Sequence, residues 1–334
     1  MNRHDLSQRF LDSAGWGRSE RRFLAGDASD RSYDRLRRDA ETAVLMDAPP
    51  GKGDDPAAFI AIAKHLGALG LSAPRLLAQD LENGFLLLED LGDGIYARLL
   101  ETGAVTELSL YTEAARVLGH LQAAPLPPGL PDLTAQDWAE AAAFALDWYR
   151  FGVTGARCDT ADFVAILSDI LARHADGPRV LILRDFHAEN LIWLPERAGL
   201  ARVGLLDFQL AQAGQPEYDL VSLLQDARRD VQPDTEAQIC AAFRAASGKN
   251  DSAFAAAYAA LGAQRALRIL GIFARLCLHG GKPGYLRLIP RVWGQLQQNL
   301  RHAALAPLAP LCQELLPEPS PDRLARIAAQ CPTP

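Results

Sequence analysis

The sequence predicts an α+β protein of two lobes, a small β-rich N-lobe over residues 1–92 and a larger helical C-lobe over residues 93–334. Three observations predict it. Residues 21–47 and 73–94 are short apolar or alternating runs separated by turn residues. From about residue 94 the apolar spacing becomes helical. One β-like stretch, residues 181–207, interrupts that helical half. A chain of 334 residues holds two ordinary domains, or two lobes closing over one cleft, and a hydrophobic fraction of 49% suffices for a real core.

The elements follow in order. Residues 4–15 have the pattern of a short amphipathic helix. RRFLAGDASDRSYDRLRRD and TAVLMDAPP, within residues 21–50, then give strand, turn, strand, turn, strand. DPAAFIAIAKHLGALG is a helix with Phe59, Ile62, Ala63 and Leu66 on one face, an Asp to cap it and Pro56 in its first turn. APRLLAQDLENGFLLLEDLGDG gives two strands joined by a turn at Glu82–Gly84, followed by a hinge near 89–93. In the second half, Leu108, Tyr111, Ala115, Leu118 and Leu121 fit one helical face. Residues 136–151, 159–174, 234–247 and long stretches of 252–302 are also helical, with a Pro-rich linker at Pro125–Pro131. VLILRDF, LIWL and VGLLDF are the short β-like runs. The tail after Leu305 is Pro-rich, with one short helical piece near 321–330.

Composition narrows the function. The formal charge is -7, and no basic block tracks a phosphate backbone, so nucleic acid is not expected as a partner. The 5 cysteines, Cys158, Cys240, Cys277, Cys312 and Cys331, form no CxxC pair and are odd in number, which argues against a disulfide framework or a zinc site. The N-terminus has acidic residues and no apolar stretch of signal-peptide length, and no run approaches a membrane span. A cytoplasmic monomer that handles small molecules, with no membrane partner, is the expectation.

The chemistry concentrates in LILRDFHAENLIWLPERAGLARVGLLDFQLA, residues 181–211. LIWL and VGLL read as the two strands of a hairpin, with Pro195–Gly199 in the turn. Asn190 stands just before the first strand and Asp207 just after the second. An antiparallel pair brings those positions to the same end, beside Asp185. An amide oxygen and a carboxylate facing one point suit Mg2+, which takes oxygen ligands and keeps waters and phosphate oxygens as well. Phosphoryl transfer asks for little more: a carboxylate at the attacking hydroxyl, a metal to spread phosphate charge, and alignment. Asp185 is the candidate base, and Asn190 and Asp207 are the candidate metal ligands.

The pattern Asp-x-x-x-x-Asn followed by an apolar-flanked Asp-Phe resembles the catalytic and metal loops of eukaryotic-type kinases. His187 inside the loop is closer to the aminoglycoside and choline kinase branch, although Arg184 and Leu183 depart from that branch's residues before the Asp. GDASDRSYDR, LMDAPP, GFLLLEDLGD, RDFHAEN and DFQLAQAGQPEYDLVSLLQD together resemble the bacterial anomeric kinases of N-acetylmuramate and N-acetylglucosamine, over roughly residues 20–300. The resemblance implies a protein-kinase-like bilobal fold, ATP and Mg2+ as cofactors, and a small amino sugar as acceptor. It implies that Gly26 and the backbone after it, including Ser29, approach the nucleotide phosphates, and that the backbone from Glu89 to Leu91 meets adenine. It also implies that Asp219 is a structural acid. His187 and Gln209 are expected to brace the loop or to line the substrate site. Other acceptors (aminoglycoside, choline, homoserine) and a nucleotide-binding pseudokinase remain alternatives.

One departure bears on mechanism. Kinases place a Lys on the third strand and pair it with a helix Glu. Here Met46 stands at that position, and residues 55–70 contain no Glu. Arg31 or Arg35 is expected to supply the positive charge instead, because Arg takes phosphate in bidentate fashion. PPGKGDD fails as a P-loop, since Met46 and Gly53 occupy the places where a Gly and a Ser/Thr are needed. Trp138, Phe144, Trp148, Tyr149 and Phe151 are expected to pack a helix rather than to wall a sugar site. Arg228 and Arg229 are expected at a solvated helix end.

Overall fold

Alternation and turn residues build the first part of the chain, and helical spacing builds the second. The structure is a computed structural model that describes residues 2–26, 31–51 and 55–332. In chain order the elements are α1 (Arg3–Ser13), β1 (Glu20–Ala25), β2 (Ser32–Arg38), β3 (Glu41–Asp47), α2 (Pro56–Ala68), β4 (Leu76–Asp80), β5 (Phe85–Glu89), α3 (Tyr96–Thr102) and α4 (Glu107–Ala123). Next come α5 (Ala135–Ala142), a π-helical turn (Ala145–Arg150), α6 (Phe151–Thr154), α7 (Ala161–His174), β6 (Val180–Ile182), β7 (Leu191–Trp193), β8 (Val203–Leu205) and β9 (Gln212–Gly214). The remainder is α8 (Glu217–Leu224), α9 (Pro233–Ser247), α10 (Asp251–Leu278), α11 (Ile289–Leu300), α12 (Ala309–Leu315) and α13 (Pro321–Ala328). By internal contacts the chain divides into two compact units: residues 1–127 with 183–211, and residues 128–182 with 212–334.

The first unit is built on an antiparallel sheet of strand order β1-β2-β3-β5-β4. Successive side chains of a strand face opposite sides. Ala43 and Leu45 of β3, with Leu36, Phe85 and Leu87, pack against Phe10, Leu11 and Trp16 from α1 and its exit. Their alternates Val44, Met46, Leu86 and Leu88 are buried too, so the central strands are covered on both faces. β1 is an exposed edge with a register shift between Phe23 and Ala25, a form that discourages pairing with another chain. Helix α2 starts as its sequence dictates: the Asp55 carboxylate accepts from the Ala57 amide at 2.8 Å and Pro56 opens the first turn. It buries Phe59, Ile60, Ile62 and Leu66, so Ile60 takes a place expected for Ala63.

Helix α4 corrects one expected face. Leu108 is exposed, and the buried stripe is Leu110, Tyr111, Ala114, Val117, Leu118 and Leu121. The Thr106 cap fixes the helix start. Leu108 then falls two residues before Leu110, on the opposite side of a 3.6-residue helix.

The second unit is helical. The 28-residue helix α10 runs through its core, which gathers α5, the π turn, α7 and α11. Small residues permit close approach there: a methyl group on Gly271 would lie 2.2 Å from the Phe144 carbonyl carbon. Trp138 and Tyr149 are fully buried, and Trp138 lies 4.8 Å from the Tyr218 ring. Both are packing residues, as expected. Helix α11 grips the chain after α8 through residues spaced by four. Arg291 pairs with Asp230 at 2.6 Å, Gln295 donates to the Asp226 carbonyl at 2.9 Å, and Asn299 exchanges amide hydrogen bonds with Gln225 at 2.8 and 3.1 Å. Arg228 and Arg229 are therefore half-buried on a held segment, not at a solvated helix end as expected. Strand β9, which pairs antiparallel with β6, and helix α12 had no sequence expectation. No helix among the described residues is long and apolar enough to cross a membrane.

Candidate active site

The site residues of the first unit are placed by one loop and one hairpin. At the loop, the Asp185 amide donates to the Leu183 carbonyl at 2.9 Å, which closes a three-residue turn around Arg184. Arg184 has φ 70°. Such a turn is rare and strained for a residue with a Cβ. It leaves Asp185 half-buried at the turn's exit, while Phe186 is buried beside it. Asn190 closes the loop from the other side. Its amide donates to the His187 carbonyl at 2.9 Å, and its side-chain nitrogen donates to the Asp185 carbonyl at 2.9 Å. A carbonyl partner demands the NH2 end of the side chain, so Asn190 Oδ1 is the end left for a cation. His187 is buried, with Nε2 3.4 Å from Asn190 Nδ2. That contact is a loop contact.

The hairpin is the one the sequence predicts. Leu191 pairs with Leu205 and Trp193 with Val203, and the Leu206 amide donates to the Asn190 carbonyl at 2.9 Å. Asn190 and Asp207 therefore leave the hairpin at one end. Asp207 has φ 56°, a left-handed conformation that Asp tolerates better than most residues. The next residue, Phe208, is buried and stacks on Phe59 of α2 at 4.8 Å, anchoring the turn. Arg31 and Gln209 both donate to Asp207 Oδ1, at 3.2 and 3.0 Å. Those two contacts fall on Oδ1, which leaves Oδ2 as the oxygen that could serve a cation. One amide oxygen and one half-exposed carboxylate match what Mg2+ takes from a protein when phosphates and water complete its shell.

The chain from Glu89 to Ala97, where a hinge was expected, is tied to this hairpin. Arg197, in the hairpin's connection, reaches Glu89 Oε1 at 2.8 Å and Ser72 Oγ at 2.7 Å. The Trp193 amide donates to the Gly94 carbonyl at 2.7 Å, and the Ala97 amide to the Ala188 carbonyl at 3.0 Å. Glu89 has its amide on the Arg75 carbonyl at 2.8 Å, and Leu91 is buried. Arg35 of β2 holds the hinge from the other side. Its Nη1 donates to both oxygens of Asp93 at 2.9 Å, and its Nε pairs with Asp90 at 2.8 Å. Burial works against its charge, but the hydrogen bonds and attraction of Asp93 and Asp90 outweigh burial and raise the guanidinium above its ordinary value.

Gly26 follows β1, and a methyl group there would stand 3.2 Å from the Arg31 carbonyl. Ser29 lies outside the described residues. Asp219 is buried on α8, in the second unit. Sequence reasoning missed three contributors: Phe208 as the anchor for Asp207, Arg197 as the tie to the hinge, and the left-handed strain at Arg184. The first two contacts join residues more than a hundred positions apart (Phe59 with Phe208, Glu89 with Arg197), and no local signal announces them.

Residues 20–262 match the family model described as the phosphotransferase enzyme family. The chain is similar to an N-acetylmuramate/N-acetylglucosamine kinase of Caulobacter vibrioides, at 42% identity over 90% of this chain and 93% of that protein. It is similar also to one of the same name from Pseudomonas aeruginosa, at 34% identity over 90% of this chain and 91% of that one. Among solved structures it resembles a thermostable mutant of an aminoglycoside phosphotransferase in ternary complex with ADP and hygromycin B. There the TM-score is 0.57 at 18% identity, over 89% of this chain and 98% of that chain. The fold is α+β and protein-kinase-like, as the sequence predicts.

Proposed function

We propose that this chain, which belongs to the phosphotransferase enzyme family, is a sugar kinase that moves the γ-phosphoryl group of ATP to a hydroxyl of N-acetylmuramate or N-acetylglucosamine. The acceptor follows from relatives that carry that name over nine-tenths of the chain. ATP follows from the same relatives being kinases and from a structural neighbour that holds ADP. The finer reading is that the acceptor is the anomeric hydroxyl and the product a sugar 1-phosphate. In this reading residues 1–92 are the nucleotide lobe and residues 93–334 carry the acceptor and the metal loops. The protein acts in the cytoplasm as a monomer.

The observation that carries the mechanism is the convergence of Asp185, Asn190 and Asp207 on one loop and one hairpin end. Asp185 orients the acceptor hydroxyl and takes its proton as the oxygen attacks γ-phosphorus. The bond from that phosphorus to the β–γ bridging oxygen breaks, and ADP leaves. Asn190 Oδ1 and Asp207 Oδ2 would hold Mg2+, which spreads the phosphate charge when bound. Gly26 and Ser29 cover the phosphates. Because the Glu89 amide is taken by Arg75, adenine is met by the Glu89 carbonyl and by backbone on to Leu91. His187 braces the loop and Gln209 braces Asp207, with Asp219 a structural acid.

A phosphorus NMR spectrum of the products from a sugar panel tests this reading. An anomeric phosphate on either N-acetylated sugar, absent with Asp185→Asn, is the expected result. Phosphate on another hydroxyl overturns the anomeric assignment. Turnover of only an aminoglycoside, choline or homoserine overturns the sugar.

A further inference from the structure

The two arginines beside the nucleotide turn are not equivalent in their surroundings. A phosphoryl-transfer site needs a protein cation on the nucleotide phosphates besides the metal. The third strand offers none: Met46 is fully buried, pairing across to Tyr33 and Leu86. Arg35 is held by two carboxylates: Nη1 hydrogen-bonds Asp93, Nη2 hydrogen-bonds Asp90, and Nε lies 2.8 Å from Asp90. Leaving them would strip a half-buried charge of both counter-ions. Arg31 stands beside the candidate metal turn. It is 7% exposed and follows the β1–β2 connection. Its carbonyl faces Gly26 so closely that a side chain there would crowd it. Its Nη2 sits 3.2 Å from Asp207 Oδ1, an atom 176 positions away in sequence. The Asp207 side chain is 41% exposed, so Arg31 is a buried cation whose tip reaches an accessible carboxylate.

We propose that Arg31 is the residue that meets the β- and γ-phosphates of ATP, and that Arg35 stays on Asp90 and Asp93 as a brace of the hinge. The assignment rests on the phosphotransferase reading. It makes a prediction that reading does not make: the two arginines respond differently to the number of phosphates on the ligand. A guanidinium–phosphate contact is charge-assisted and bidentate, and it is lost where the β- and γ-phosphates are missing.

Calorimetric titration of the full chain with ATP and with AMP, without turnover, tests it. Arg31→Met is expected to weaken ATP by about tenfold or more and to leave AMP unchanged, with Arg31→Lys recovering part of the loss. Arg35→Met is expected to weaken ATP and AMP by the same factor. If Arg31→Met weakens AMP as much as ATP, or leaves ATP unaffected, the proposal is overturned. Should Arg31→Met fail to fold, as circular dichroism would show, Arg31→Lys alone must weaken ATP and spare AMP, and equal loss on both overturns it. A wild-type chain that binds neither nucleotide sinks the phosphotransferase reading itself, which separates the two failures.

Discussion

The first unit stores strain where the second stores buried polarity. In the first, two of the three described non-glycine residues with positive φ, Arg184 and Asp207, flank the candidate active site, and the third is Asp39 in a tight hairpin. Strain of about 1–3 kcal/mol per residue persists only where the surroundings over-determine it. Here the hairpin rungs, Phe208 on Phe59 and Arg197 on the hinge do so. In the second unit, α10 and α11 bury Gln225, Asn299, Gln264 and Arg265 in hydrogen bonds, and small residues set the spacing of the helices. The lesson is a division of labour. At the candidate site of the first unit, side-chain removal is expected to affect chemistry more than folding, and in the helical core of the second to affect folding more than chemistry.

The largest expected effect tests the first half of that statement. Asp185→Asn keeps the size and the loop, so nucleotide binding and melting temperature should stay near wild type while kcat falls by about 10²–10⁴-fold. A melting temperature that drops with kcat would break the comparison. Next, if Asp207 holds the metal as proposed, Asp207→Ala should lower activity by about 10²-fold or more, since a metal ligand contributes at least as much as groups of the outer shell. It should also raise the Mg2+ concentration needed for half-maximal rate. Asp207→Asn should show the kinetic loss with less destabilisation than Asp207→Ala, because Asn tolerates left-handed φ and Ala does not. Equal stability of the two variants would remove the case for strain at this position.

The second half of the comparison is tested at Gly271. Its added Cβ would meet the backbone of Phe144, which cannot swing aside as a flexible side chain would. Gly271→Ala should destabilise the chain by about 1–3 kcal/mol, read by denaturant unfolding. The folded fraction should keep its kcat. A variant as stable as wild type would mean the π turn shifts freely, and the close packing would lose its explanatory value.

How much of this was legible in the sequence follows the same division. The sheet and the 191–205 hairpin were legible because each turns on local patterns: alternation, a turn at Glu82–Gly84, and Asn190 and Asp207 bracketing two apolar runs. The departure at Met46 was legible too. What separates Arg31 from Arg35 was not. Asp207, Asp90 and Asp93 lie 176, 55 and 58 positions from them, and spacing says nothing about which carboxylate a long side chain finds. In the second unit, the Ala-rich stretch at 139–145 announces a helix but not its π turn, which depends on what α10 presents. Leu108 was misplaced because one apolar residue in a first turn cannot be told from the buried stripe until the cap sets the phase.

The smallest effect probes the buried polarity of the second unit. Glu236 accepts from the Tyr258 hydroxyl at 2.8 Å. Burial pushes its carboxyl above the ordinary value of 4.5, and the Tyr258 hydrogen bond only partly offsets the push. A folded acid with a raised pKa holds its proton more tightly than the unfolded chain does. Its contribution to stability is therefore full below the unfolded value and is lost as pH rises through the folded one. Glu236→Gln keeps an oxygen for Tyr258 and removes the charge. The variant should match wild type in acid, where Glu236 is protonated in both states. It should become the more stable of the two as pH rises past the folded value, by a few degrees in melting temperature at most. Glu236 belongs to the second unit and the candidate loop and hairpin to the first, so kcat should be unchanged across the same range. A gap that instead widens toward acid would mean the charged form is the one the second unit stabilises, and its buried polar groups would then be balanced ion pairs rather than burdens carried by packing.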